Sequence, residues 1–327
     1  MDIAKRLKKM AKNYPKTIVL PEAEFSARIV EAGVRAVEQG ICNIVLIGDP
    51  KKIDISWAKK LRGQIEIVDP KSSEKLPQVI NAIFEARKHK WLTIEDAARL
   101  AIDPIYFAMG YCVCGYGDGV VCGAEVPTAS TLRPALQVIK SRQGLVSSYF
   151  IFAGKNRVTA ECFLMGDCAV VENPTAEQEA LIAEMMLEEY NSLGLLKPCC
   201  AFLSYSTLGS ADSQSVQKVR RAYEIFCAKN PRIMAIGETQ FDACVNEKVR
   251  AKKMPNAVQN RPANIFVMPN LDAGNIAYKI TQYFGGLQAI GPITTGFAVP
   301  VNDLSRGCSV DDAVLVIAVT AIQASRS

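Results

Sequence analysis

TIVLPEAEFSARIVEAGVRAVEQGICNIVLIG, residues 17–48, reads as a strand, a helix and a second strand. Thr17–Leu20 is a short apolar run closed by Pro21, and Asn43–Gly48 is another. Between them, from Ser26 to Gln39, Ile29, Ala32, Gly33, Ala36 and Val37 recur at the spacing of one helical face, and Gly40 supplies the stop. Two apolar strands joined by an amphipathic helix make a right-handed crossover between parallel neighbours. The fold class is therefore α/β with mainly parallel sheets.

The same alternation extends in both directions. Ahead of it, Ile3, Leu7 and Met10 line one face of a short helix that packs on the body. After it come a strand at Ile65–Val68, helices at Glu74–Lys88 and Ile94–Ala101, a buried strand at Gly119–Gly123 and a helix through Thr131–Ile139. The middle has strands expected at Tyr149–Phe152, Cys162–Met165, Cys168–Val171 and Ala201–Tyr205, with helices at Ala176–Leu193 and Gln214–Lys229. The polar, proline-containing stretch Glu247–Arg261 reads as a mobile loop. Ile265–Met268 is a further buried strand, and Asp311–Ala324 a final helix.

A chain of 327 residues suggests two domains, and 49% hydrophobic against 22% charged residues is enough for a substantial core. A net charge of +5 without a basic tail points to anionic small molecules and away from nucleic acid. Eleven cysteines, an odd number scattered through apolar runs, predict reduced and mostly buried thiols in a cytoplasmic protein. No apolar run reaches the roughly 18 residues a membrane span needs. There is no P-loop motif, and Gly115, Gly117 and Gly119 lack dinucleotide-binding spacing, so they read as a turn. One histidine, His89, sits in a basic run, and Cys112, Cys114, Cys199 and Cys200 lack zinc spacing, so no metal site is expected.

Four segments concentrate polar chemistry after strands, where ligands bind in open α/β sheets. The richest runs from Pro300 through Asn302, Asp303, Ser305, Arg306, Gly307, Cys308 and Ser309 to Asp312. It leads onto a helix whose free N–H groups suit an anion, and Arg306 adds a guanidinium fork. Ser309 and Asp312 also have the spacing of a capping box, which is compatible with a site. The others are Pro127–Pro134, with Thr128 and Arg133; Ser204–Ala211, with Ser206 and Thr207; and Pro269–Asn275. Together they suggest a phosphate-containing small molecule. Cys308 beside Arg306 also invites a cysteine nucleophile, although a small buried thiol is the commoner role.

These stretches, with TIVLPEAE, EARKHK, DGVVCGA, TLRPALQVI, DCAVVENPTAEQ, FDACV, PNLDAGNIAYK and PVNDLSRGCS, resemble the phosphate acetyltransferase (phosphotransacetylase) family over nearly the whole chain. The resemblance implies a two-domain fold like that of isocitrate and isopropylmalate dehydrogenases, with an interdomain cleft. Domain I would be 1–138 plus 298–327, and domain II 139–297, with domain II supplying a homodimer contact. It implies direct attack of the coenzyme A thiolate on acetyl phosphate in a ternary complex. Coenzyme A and acetyl-CoA would be substrates, with no permanently bound cofactor. Asp312 would take the thiol proton, and Ser305 and Arg306 would act on the reacting groups. Arg133, Arg87, Thr128, Ser206 and Thr207 would hold phosphate or acetyl phosphate, and Tyr283 and Cys308 would contact coenzyme A.

The chain departs from the family at three places. Leu208 stands where lysine is usual, Tyr283 where arginine is usual, and Pro127-Thr128-Ala129-Ser130 replaces Thr-Thr-Ala-Asp. These put coenzyme A affinity and acyl choice in question. Propionyl or butyryl transfer and a non-catalytic coenzyme A-binding homologue are the alternatives.

Overall fold

The computed structural model describes residues 3–61, 63–154, 162–256 and 261–326. In chain order its elements begin α1 (Ile3–Ala11), β1 (Thr17–Leu20), α2 (Ala27–Glu38), β2 (Asn43–Ile47), β3 (Ile65–Val68), α3 (Leu76–Arg87), α4 (Ile94–Leu100) and α5 (Pro104–Val113). There follow β4 (Gly119–Cys122), α6 (Thr128–Val138), β5 (Ser147–Ala153), β6 (Cys162–Gly166), α7 (Ala176–Ser192), β7 (Cys199–Leu203), α8 (Gln214–Lys229) and β8 (Met234–Thr239). The last are α9 (Phe241–Val245), α10 (Glu247–Lys253), β9 (Ile265–Val267), α11 (Leu271–Tyr283), β10 (Gln288–Thr295), β11 (Val301–Asp303) and α12 (Val310–Ala324). The chain divides into two compact units, one of residues 3–144 and 297–327 and one of 145–296.

Unit 1 is built on a parallel sheet in the order β11-β4-β1-β2-β3. β1 pairs with β2 from Thr17 opposite Asn43 to Leu20 opposite Leu46, as the crossover reading of residues 17–48 requires. Gly33 lets α2 close on that pair: a Cβ there would lie 2.9 Å from Leu20 Cδ1 and 3.2 Å from Ile44 Cγ2. The Asp118 carboxylate accepts the Thr17 N–H at 2.8 Å and pairs with Lys16 at 3.2 Å, which ties the entry of β1 to that of β4. α12 packs among α1, α2 and the sheet and is buried from Ala313 to Ala324. Beneath it Asn302 donates to Thr320 and to Gln323, both at 2.8 Å, so a buried polar triad fixes β11 against the helix. α1 buries Ile3 and Leu7 as expected.

Unit 2 carries a mixed sheet in the order β10-β5-β6-β9-β7-β8. β6, β9, β7 and β8 run parallel, and β5 pairs antiparallel with both β6 and β10. Its core gathers Phe150, Phe152, Phe163 and Phe266, with Phe152 stacked on Phe163 at 5.1 Å.

The structure corrects two expectations here. Cys168–Val171 is no strand. The buried Asp167 carboxylate accepts the N–H groups of Ala169, Val170 and Val171 at 2.7, 2.9 and 3.1 Å, so this backbone serves a side chain instead of a ladder. Glu247–Arg261 is not simply a loop, because Asn246 caps α10 by accepting the Lys248 and Val249 N–H groups. Residues 257–260 of that stretch lie outside those described. α5, α11, β8, β10 and β11 had no counterpart in the sequence reading.

Candidate active site

In unit 1 the loops that leave β1, β4 and β11 meet at the carboxyl end of the sheet. Glu22, just past β1, is fully buried. Its carboxylate accepts the N–H groups of Ala124 and Glu125 at 2.9 Å and of Val126 at 3.2 Å, so one charged group shapes the loop after β4. Arg28, on the first turn of α2, donates to the carbonyls of Arg306 at 3.0 Å and Cys308 at 2.8 Å. Its other nitrogen reaches Ala124 O at 2.8 Å and the Glu125 carboxylate at 2.9 Å. Ser26, and then Arg28, hold the Glu125 carboxyl below the usual carboxylate range. Arg28 thereby fixes the loop after β11 to the loop after β4, with Ser305 and Arg306 left exposed.

The capping box read from sequence is present. Ser309 donates from N–H and hydroxyl to Asp312 Oδ2 at 3.0 and 2.7 Å, and the Asp312 N–H returns to Ser309 Oγ at 3.1 Å. Asp312 thus stands on the first turn of α12, with Arg306 and Ser305 on the loop before it. Cys308 is buried, and burial pushes its thiol up while Arg28 pulls the other way. The cation against this thiol is Arg28, not Arg306 as the sequence suggested. A buried thiol with a raised pKa is a poor nucleophile.

Thr128 opens α6, and its hydroxyl donates to Asp303 Oδ2 at 2.6 Å. Asp303 ends β11 and is 2% exposed. Burial lifts its carboxyl to about 6, against the pull of Thr128, with Thr131, Glu22 and Arg306 also in range. Arg87 at the end of α3 and Arg133 on α6 both face the phenol of Tyr106, whose pKa burial raises and the two arginines oppose. Tyr106 donates to Gln137 at 2.6 Å. The buried Arg87 Nε has no partner among the described residues. Asp312, Ser305, Arg306, Cys308, Thr128, Arg133 and Arg87 thus all belong to unit 1, mostly on loops and first turns at one end of its sheet.

Ser206, Thr207 and Tyr283 belong to unit 2. The Ser206 hydroxyl is fully buried, donates to Glu238 at 2.9 Å and accepts the Ala211 N–H at 3.0 Å. Thr207 donates to Gln240 Oε1 at 3.2 Å and accepts its N–H at 3.1 Å. These bonds tie the loop to the end of β8 and brace the turn that presents Leu208. Burial works against the Glu238 charge, but hydrogen bonds from Arg220, Gly209 and Ser206 hold its carboxyl below the usual range. Leu208 sits exposed at φ +44°, and Tyr283 is 82% exposed at the end of α11.

Sequence reasoning gave no role to Glu22, Ser26, Arg28 or Asp303. For Glu22 alone there was a signal, a charged residue just past the apolar run Thr17–Leu20, where a buried strand end tolerates charge only with partners. No group of three or more His, Cys, Asp or Glu that could hold a metal occurs among the described residues.

A family model described as phosphate acetyl/butaryl transferase matches residues 2–321. A phosphate acetyltransferase of Acetivibrio thermocellus is 42% identical over 99% of this chain and 98% of its own. The structure of a phosphotransacetylase from Streptococcus pyogenes superposes with a TM-score of 0.88 at 35% identity, covering 99% of this chain and 97% of that one. A Salmonella typhimurium protein assigned as a 4-hydroxythreonine-4-phosphate dehydrogenase shares the fold alone, at 12% identity and a TM-score of 0.51 over 94% of this chain and 99% of its own. With these matches spanning both units, the chain belongs to the phosphate acetyl/butaryl transferase family.

Proposed function

We propose that this protein is a phosphate acetyltransferase, moving an acetyl group reversibly between coenzyme A and inorganic phosphate in a ternary complex. The observation that carries the reading is the anchored loop of residues 305–308. Arg28 holds its backbone from behind, so Ser305 and Arg306 face outward beside Asp312.

Asp312 takes the proton as the coenzyme A sulfur attacks the carbonyl carbon of acetyl phosphate. The carbon–oxygen bond to phosphate then breaks and phosphate leaves. The thiol is the harder acid to ionise, so Arg306 and Arg133 contribute by stabilising the thiolate and the developing oxyanion. Ser305 hydrogen-bonds the reacting groups. Thr128 and Arg87 hold the phosphate. In this reading Ser206 and Thr207 also serve the phosphate, and Tyr283 with Cys308 belongs to the coenzyme A side.

The same reading takes domain I as 1–138 plus 298–327 and domain II as 139–297, in a cytoplasmic homodimer. Eleven free thiols support a reducing compartment. α11 supports the dimer, because Ile276, Ile280 and Phe284 stand exposed at four-residue spacing along one face.

Phosphate-dependent release of free thiol from acetyl-CoA, run beside propionyl- and butyryl-CoA, tests the proposal. Rapid release that favours acetyl-CoA is the expected result. Faster release from butyryl-CoA would reassign the acyl group. Coenzyme A binding without release from any of the three would favour a non-catalytic homologue, the reading that Leu208 and Tyr283 motivate.

A further inference from the structure

The Asp303 carboxylate has a geometry that the acyl-transfer reading does not use. One oxygen takes the Thr128 proton at 2.6 Å, and the other is buried, with the Thr131 hydroxyl close enough to help hold the charge. The group is closely packed. Gly123, at φ +97°, presses against it so closely that a Cβ there would lie 2.0 Å from Asp303 Oδ1. The buried Glu22 and the exposed Arg306 are both near enough to act on its charge, in opposite senses, and Thr128 is itself exposed.

A hydroxyl has one proton and two lone pairs. Once a fixed carboxylate has claimed the proton, only lone pairs remain for a ligand. The Asp303 carboxyl, at about 6, is ionised at neutral pH, so it acts there as an acceptor. An anion that meets Thr128 must therefore bring a proton of its own.

We propose that Asp303 is a positioning residue that sets anion specificity through Thr128: the site accepts hydrogen phosphate, which carries a P–OH proton, and turns away sulfate, which carries none. The inference rests on the reading of Thr128 as a phosphate contact. Arginines alone do not make this distinction, because they donate to either dianion. The arrangement also accounts for a carboxylate kept where burial opposes its charge, a common mark of a functional group.

Calorimetric titration with phosphate and with sulfate, at about pH 7.5 where carboxylates of ordinary pKa are ionised, measures the discrimination directly. The wild type is expected to bind phosphate at least tenfold more tightly, as for a site left with an unmatched polar group by the wrong ligand. Asp303→Ala frees the Thr128 proton to turn outward, so sulfate should gain roughly tenfold relative to phosphate. Thr128→Val should reach the same lowered ratio by another route, with phosphate weakened and sulfate unchanged. Removing the negative charge of Asp303 strengthens both dianions alike, so the ratio isolates the hydrogen-bond effect. A ratio unchanged in both variants, with each folded by circular dichroism, overturns the proposal, as does a wild type that binds the two anions equally. Discrimination without any thiol release would instead sink the acyl-transfer reading and leave this inference standing.

Discussion

At the scale of single residues, the site is a set of carboxylates with different duties. Glu22 and Glu125 organise backbone and Arg28, Asp303 fixes a hydroxyl, and Asp312 caps α12 and, in the proposed reaction, takes the thiol proton. The cap and the reaction can be separated. Asp312→Asn keeps an amide oxygen for the Ser309 N–H but cannot accept a thiol proton. Its turnover should fall about 100-fold or more, the usual worth of a positioned general base, with KM values for coenzyme A and acetyl phosphate changed only a few-fold. Steady-state kinetics in the acetyl-CoA-forming direction check this, and near-normal turnover would remove Asp312 from the role. Part of this was legible in the sequence. The spacing of Ser309 and Asp312 announced its own geometry because a capping box is local. Glu22, Arg28 and Asp303 were illegible because each works on residues roughly a hundred or more positions away, and nothing in a sequence window records such a partner.

Elements follow the same division. α8 and β3 were read to the residue, since a helix with one buried face and a short apolar strand each carry their own periodicity. α5 was missed because it is apolar nearly all round: seven of its ten residues are buried, so no polar face marks its turns. The misread strand at Cys168–Val171 has the opposite cause. Its composition suits a sheet, but Asp167 competes for its N–H groups and wins. That carboxylate also accepts from Ser147 Oγ at 2.8 Å, Ser148 N at 3.1 Å and Ser148 Oγ at 2.6 Å. Asp167→Ala would strand this whole group of buried donors and should destabilise the fold by about 3–5 kcal/mol. Urea unfolding at equilibrium measures the loss. A cost below about 1 kcal/mol, that of an ordinary exposed hydrogen bond, would mean that the segment finds other partners.

For the molecule as a whole, two buried acids set the slope of stability with pH. Burial raises Glu179 to about 7 although Lys218 stands 3.3 Å away, and burial raises Asp303 to about 6. Each holds a proton in the folded state at a pH where the unfolded chain has released it. Their contribution is full below the unfolded values near 4 and is lost as pH rises through about 6 and about 7. Carboxyls held low, among them Glu24, Glu125 and Glu238, act in the opposite sense but only at more acid pH. The thermal midpoint should therefore fall between about pH 5.5 and 8, and Glu179→Gln should flatten that fall. A melting series that rises over this interval, or keeps its slope in the variant, would contradict it. The order β11-β4-β1-β2-β3 was beyond any local reading, because the edge strand that completes unit 1 arrives only after every strand of unit 2.

That late arrival bears on how the chain is made. During synthesis all of residues 145–296 leave the ribosome before β11 and α12 do. Unit 2 can therefore close while unit 1 still lacks an edge strand and its most buried helix. Until α12 docks, the emerging unit 1 leaves uncovered the sheet surface on which that helix comes to rest, a surface chaperones of the nascent chain bind. Released chains truncated near residue 300 should accordingly show unit 2 protected from protease while unit 1 is still cut.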